Sequence, residues 1–121
     1  MNNPIQHELA REPEDLARFF VARANAGDVE GLAALYEPDA VLATGRGEIA
    51  TGTEEIRGFY VRLLASRPRF EPGVQTLLRS GRLALTSSRL GNGNVTAEIA
   101  RQQADGTWLW TLDQPMLAMM A

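Results

Sequence analysis

Apolar residues recur at helical spacing through the first half of the chain and mostly at alternate positions through the second. Leu16, Phe19, Phe20 and Ala24 follow the 3.6-residue period after Pro13. Pro13 suits a first helical turn, Glu14 and Asp15 suit its positive end, and Gly27 is a natural stop. Asp28 can then cap a second short helix carrying Val29, Leu32, Leu35 and Tyr36, which Pro38 ends. AVLAT and EIAT, on either side of GRG, read as two short strands joined by a tight turn. Thr53 can cap a third helix, with Ile56, Phe59, Tyr60, Leu63 and Leu64 as its apolar stripe. After Pro68 the texture becomes extended, over about 70–79, 82–90, 94–103 and 107–114. SG, GNGN and DG separate these segments and supply residues tolerant of positive φ. Helices first and a hairpin meander last predict an α+β fold, with the helices packed on one face of a curved, mostly antiparallel sheet. Such a sheet tends to enclose a cavity for a small molecule.

Composition narrows the chemistry. At 121 residues the chain fits one domain. It contains no cysteine, which removes disulfides, thiol nucleophiles and thiolate metal ligands together. It contains no lysine either, which excludes lysine Schiff-base chemistry. A net charge of −3 gives no basic footprint for nucleic acid. No window is apolar enough to span a membrane, and the first twenty residues lack a secretory pattern, so the expected location is cytoplasmic. His7 is the only histidine and lies in a polar N-terminal segment, where a surface position is expected; no metal site and no cofactor are indicated.

The stretches FFVARANAGDVEGLAALYEPDAV, GEIATGTEEIRGFYVRLL and DGTWLWTLDQP resemble the SnoaL-like branch of the NTF2-like superfamily, which includes ketosteroid isomerases, polyketide cyclases and limonene epoxide hydrolase-type enzymes. The resemblance covers about 12–115. It leaves residues 1–11 as an N-terminal tail open to disorder and 116–121 as a C-terminal tail able to fold over a pocket mouth or a partner. It implies a conical α+β barrel of cystatin-like type, usually homodimeric, with a pocket between sheet and helices. Matched position by position, the ketosteroid isomerase base falls on Thr44, a hydroxyl far too weak for that task, and the principal oxyanion donor falls on Phe20, which has no hydroxyl. The two supporting tyrosines fall on Tyr36 and Tyr60, and the protonated acid on or near Glu98. The standard isomerisation is therefore not expected. The Arg-x-Asp pair of the epoxide hydrolases is also missing.

In the family's register Thr111, Asp113 and Leu109 point into the cone, and Trp108, Trp110 and Leu112 point out. An exposed indole pair would be a large apolar patch on a monomer, so a homodimer through the Trp108 and Trp110 face is expected. Glu98 and Asp113 become the candidate catalytic acids. Arg89 and Leu85, on the inner side of the preceding strand, join Phe20, Tyr36, Thr44 and Tyr60 as candidate ligand contacts. Glu98, Asp113 and Arg89 can equally be a structural ion-pair cluster. Three functions remain open: an isomerase-, cyclase- or hydrolase-type enzyme acting on a small hydrophobic molecule, a non-catalytic ligand-binding or sensing protein, and a dimerisation module with a filled cavity.

Overall fold

A computed structural model of the chain describes residues 6–117. Helices α1 (Asp15–Asn25) and α2 (Val29–Ala33) precede strands β1 (Tyr36–Gly45) and β2 (Glu48–Thr51). Helix α3 (Gly52–Leu64) follows, then β3 (Val74–Ser80), β4 (Leu83–Arg89), β5 (Ala97–Gln102) and β6 (Trp108–Gln114). The six strands form one curved, unclosed sheet in the order β2-β1-β6-β5-β4-β3, with β2 and β3 as edges. All neighbours are antiparallel except β1 and β6, which pair in parallel. None of the described helices is long and apolar enough to cross a membrane.

Local chemistry explains the helix ends. Gly27 stands two residues past α1 at φ +70°, the left-handed conformation that a glycine adopts without strain. The Asp28 carboxylate accepts from the Gly31 backbone N–H at 2.9 Å and so caps α2. The second helix is shorter than its periodicity suggests, because Leu35 and Tyr36 lie beyond it. Tyr36 opens β1 instead, and Pro38 sits where the β1–β6 register slips between Tyr36 and Val41, a place where a missing N–H does no harm.

Leu16, Phe19 and Ala24 of α1, Leu32 of α2, and Ile56, Tyr60 and Leu64 of α3 bury against the inner face of the sheet. That face presents Leu42, Ala50, Ala84, Ala100, Trp108 and Trp110. Residues ahead of α1 belong to this assembly. The Trp108 backbone N–H donates to the Ala10 carbonyl at 2.9 Å, and the buried Arg23 donates to the carbonyls of Glu8 and Gly31. The His7 ring meets the Asp28 carboxylate at 2.8 Å, so the lone histidine braces the α2 cap rather than standing free on the surface. At the other end, Leu117 N–H donates to the Val95 carbonyl. The rest of the expected C-terminal tail, 118–121, lies outside the described residues.

The largest correction concerns β6. Ile99 stands opposite Leu112 but Ala100 stands opposite Trp110, so Thr111 is an extra residue that β5 does not match. Such a bulge resets the alternation of side chains. Trp108, Trp110 and Asp113 consequently all face inward, at 1%, 4% and 7% exposure, while Leu112 faces out. The indoles are core, not a dimer face.

Candidate functional site

Parallel pairing of the first and last strands brings Tyr36 beside Trp110 and Leu42 beside Asp113. Antiparallel pairing sets Glu98 directly opposite Asp113, and Thr86 directly opposite Glu98. All these side chains except Leu42 carry a polar group, and all are buried. They are wired in two short runs. The Tyr36 hydroxyl donates to Asp113 Oδ2 at 2.5 Å and lies 2.6 Å from the Tyr60 hydroxyl. The Thr86 hydroxyl donates to Glu98 Oε1 at 2.7 Å.

Among the described residues no cation reaches this cluster. Arg89 and Leu85, expected inside, lie on the outer face: pairing puts Thr86 opposite Glu98, which turns Leu85 outward beside Ile99 and Arg89 outward with it. The expected Arg89 ion-pair arrangement therefore does not form. Burial without a counter-charge favours the neutral acid. Desolvation, with the Glu98 charge adding to it, pushes the Asp113 carboxyl up to about 8 against the opposing pull of the Tyr36 bond. Desolvation also raises Glu98, moderated by Thr96 and Thr86. Both tyrosines are pushed well up, first by burial and then by the Asp113 charge. At neutral pH Asp113 is thus a carboxylic acid, with one oxygen accepting from Tyr36 and an O–H of its own to give.

An aromatic column leads from this acid towards the surface. Tyr36 packs on Trp110 at 5.3 Å between ring centres, and Phe20 touches Trp110 at 6.2 Å and Tyr60 at 6.1 Å. Phe70 closes the column edge-on against Phe20 at 5.4 Å. Phe70 belongs to the loop between α3 and β3. The Asn25 side chain pins it there by donating to its carbonyl and accepting from its N–H, at 2.9 and 2.8 Å. Beside that loop a hollow of about 660 Å³ opens between the ends of α1 and α3, lined by Asn25, Val29, Val61, Leu64 and Arg67 among others.

Of the candidate residues, the structure brings together Glu98, Asp113, Tyr36 and Tyr60, with Phe20 one ring away. Tyr36 comes from the sheet rather than the helical wall. Thr44 is half-exposed near the β1–β2 turn, where the register slips between Ala43 and Gly45. Two contributors escaped the sequence reading. Thr86 is betrayed only by its pairing with Glu98, and Trp110 only by the bulge. Among the described residues no three His, Asp or Glu side chains cluster as metal ligands.

The outer face of the sheet has its own character. Val41, Leu112, Ile99, Leu85 and Leu78 stand in one register row across β1, β6, β5, β4 and β3. Leu78, Leu85 and Leu112 are 70%, 47% and 46% exposed, and Ile49 of β2 is 62% exposed. A hollow of about 310 Å³ interrupts this surface between Ile49, Leu112 and Leu85.

A family model described as a SnoaL-like domain matches residues 16–118. A search of curated proteins found no match. Among solved structures, the chain is similar to a protein of unknown function with a cystatin-like fold from Nostoc punctiforme, at 22% identity, 84% coverage of both chains and a TM-score of 0.71. It is also similar to a protein named as a calcium/calmodulin-dependent protein kinase II association domain from Xanthomonas campestris, at 21% identity, 94% coverage of both and a TM-score of 0.66. A ketosteroid isomerase-like protein from Erwinia carotovora shares 20% identity over 83% of this chain and 88% of its own, with a TM-score of 0.57.

Proposed function

Because the chain belongs to the SnoaL-like domain family, we propose that it handles a small, largely apolar molecule at its inner face, with Asp113 as a neutral acid directed at a polar oxygen of that molecule. The observation that carries this reading is the chain Tyr60–Tyr36–Asp113, buried in an aromatic interior beside Glu98 with no cation near it among the described residues. A carboxyl group kept protonated at neutral pH is a strong donor, suited to holding a carbonyl or hydroxyl oxygen or to passing it a proton. Structural networks rarely need two uncompensated acids side by side, since each is costly to bury. The standard ketosteroid isomerase step is not part of the proposal. Phe20 has no hydroxyl to give, and Thr44 stands apart from the acids.

The test uses 1-indanone, a compact bicyclic ketone, and its affinity as a function of pH. Wild type should bind it equally between pH 5 and 7 and lose up to tenfold per pH unit above about 8, as Asp113 ionises. Asp113→Asn, which cannot ionise, should bind with no such dependence. A wild-type affinity that is flat to pH 10, an Asn variant that follows the wild-type curve, or no binding at all would refute the reading.

The outer face supports a second proposal, a homodimer formed back to back through the Val41–Leu112–Ile99–Leu85–Leu78 row. Five strands at about 4.8 Å spacing make this row about 19 Å wide, the scale of the apolar centre of a stable interface. The Xanthomonas relative named as an association domain is consistent with assembly on this fold. Sedimentation should give a dimer for wild type and a folded monomer for Leu85→Glu/Leu112→Glu. A monomeric wild type at high micromolar concentration rules the interface out.

A further inference from the structure

Both tryptophans bury an indole nitrogen with no hydrogen-bond partner among the described residues. An indole N–H can only donate, and a buried donor left unpaired is unusual enough to require a reason. The two cases differ. Trp108 packs at the N-terminal segment's end of β6 under the Arg79 guanidinium, 4.8 Å above its ring. Trp110 adjoins the acid cluster through Tyr36: it pairs with Tyr36 across the parallel strands, packs at a tilt against the Tyr36 ring, and touches Phe20. The rings separating it from the loop surface are the half-buried Phe20 and Phe70.

We infer that the Trp110 indole N–H is a ligand contact, donating to a neutral oxygen acceptor of the small molecule that Asp113 handles. The inference rests on the reading proposed above and deepens it. A second donor that reaches the same molecule as the carboxyl O–H makes the site bidentate towards oxygen. The acceptor is neutral because an anion would meet the Glu98 and Asp113 carboxyls whenever either ionised. Ketone, ester and ether oxygens qualify, whereas carboxylates and phosphates do not.

Two probes of matched shape isolate the contact: 1-indanone, with one acceptor and no donor, and indane, with neither. In ¹⁵N-labelled full-length protein at pH 6, the two indole N–H signals are assigned with Trp108→Phe. 1-Indanone should move the Trp110 signal and leave Trp108 in place, a reading that needs no variant of Trp110 itself. Trp110→Phe, which keeps an aromatic ring and loses the donor, should bind 1-indanone roughly 3- to 10-fold more weakly than wild type. Indane should bind both proteins equally. An unmoved Trp110 signal at saturation, or a Trp110→Phe variant that binds 1-indanone as wild type does, overturns the contact while the pH dependence of binding still upholds Asp113. Absence of binding by either compound overturns both.

Discussion

Asp113→Asn should convert a pH-dependent protein into a much less pH-dependent one. In the folded chain Asp113 holds its proton up to about pH 8, whereas its ordinary value is 3.8. Between those limits the native state binds one proton more than the unfolded state, so stability falls as pH rises. The contribution is fully present below pH 3.8, is progressively lost through the neutral range, and is gone once pH passes about 8. At 1.36 kcal/mol per pH unit, the interval corresponds to at most roughly 6 kcal/mol, a large fraction of the stability of a domain this size. Carboxylates whose pKa is lowered, such as Asp15 and Glu37, act with the opposite sign, but equally in both proteins. The difference between wild type and Asp113→Asn therefore isolates Asp113. Urea unfolding followed by the fluorescence of the two buried indoles at half-unit steps from pH 4 to 9 measures it. The two proteins should be nearly equal at pH 4, with the Asn variant ahead by several kcal/mol at pH 8. Parallel curves across that range would show that Asp113 is already ionised in the folded protein, and the electrostatic account of the site would fall.

Neighbours of Asp113 should move this transition in opposite directions. Glu98→Gln removes a like charge and should lower the pH at which Asp113 ionises, while Tyr36→Phe removes a bond that favours the carboxylate and should raise it; infrared titration of the carboxyl band reports both, and shifts of the same sign would contradict the geometry. Asn25→Ala frees Phe70 from two hydrogen bonds, each worth roughly 1 kcal/mol, and should raise the open population of the α3–β3 loop by about tenfold or more. Acrylamide quenching of Trp110 in a Trp108→Phe background should increase accordingly, and unchanged quenching would show that the loop does not guard the column.

Much of the fold was legible because it rests on local rules. The helical stripes of α1 and α3 and the Asp28 cap follow from periodicity and side-chain geometry within a few residues. The parity of Glu98 was also readable, since β5 alternates without interruption around it. Two kinds of information were not local. The parallel pairing of β1 with β6 joins residues more than seventy positions apart, so nothing near Tyr36 announces that it will enter a strand beside Trp110. The bulge at Thr111 carries no glycine or proline, and TLD reads as ordinary strand. Alternation carried through it gave Asp113 the correct side and the tryptophans the wrong one. Arg89 failed for a related reason: parity on β4 is fixed by its partner Glu98, not by its own apolar pattern, which puts leucines outside and Thr86 within.

The bulge has a consequence for how such a protein can change by insertion and deletion. Loss of the single residue Thr111 would make Leu112 follow Trp110 directly and restore strict alternation, with Leu112 still on the outer face, Asp113 still on the inner one and both indoles unmoved. Pairing that kept Thr111 but lost the bulge would instead turn either Asp113 or both indoles outward. Gain or loss of this single codon therefore leaves the acid, the exposed leucine and the aromatic core each on its own face, and all three are inherited intact.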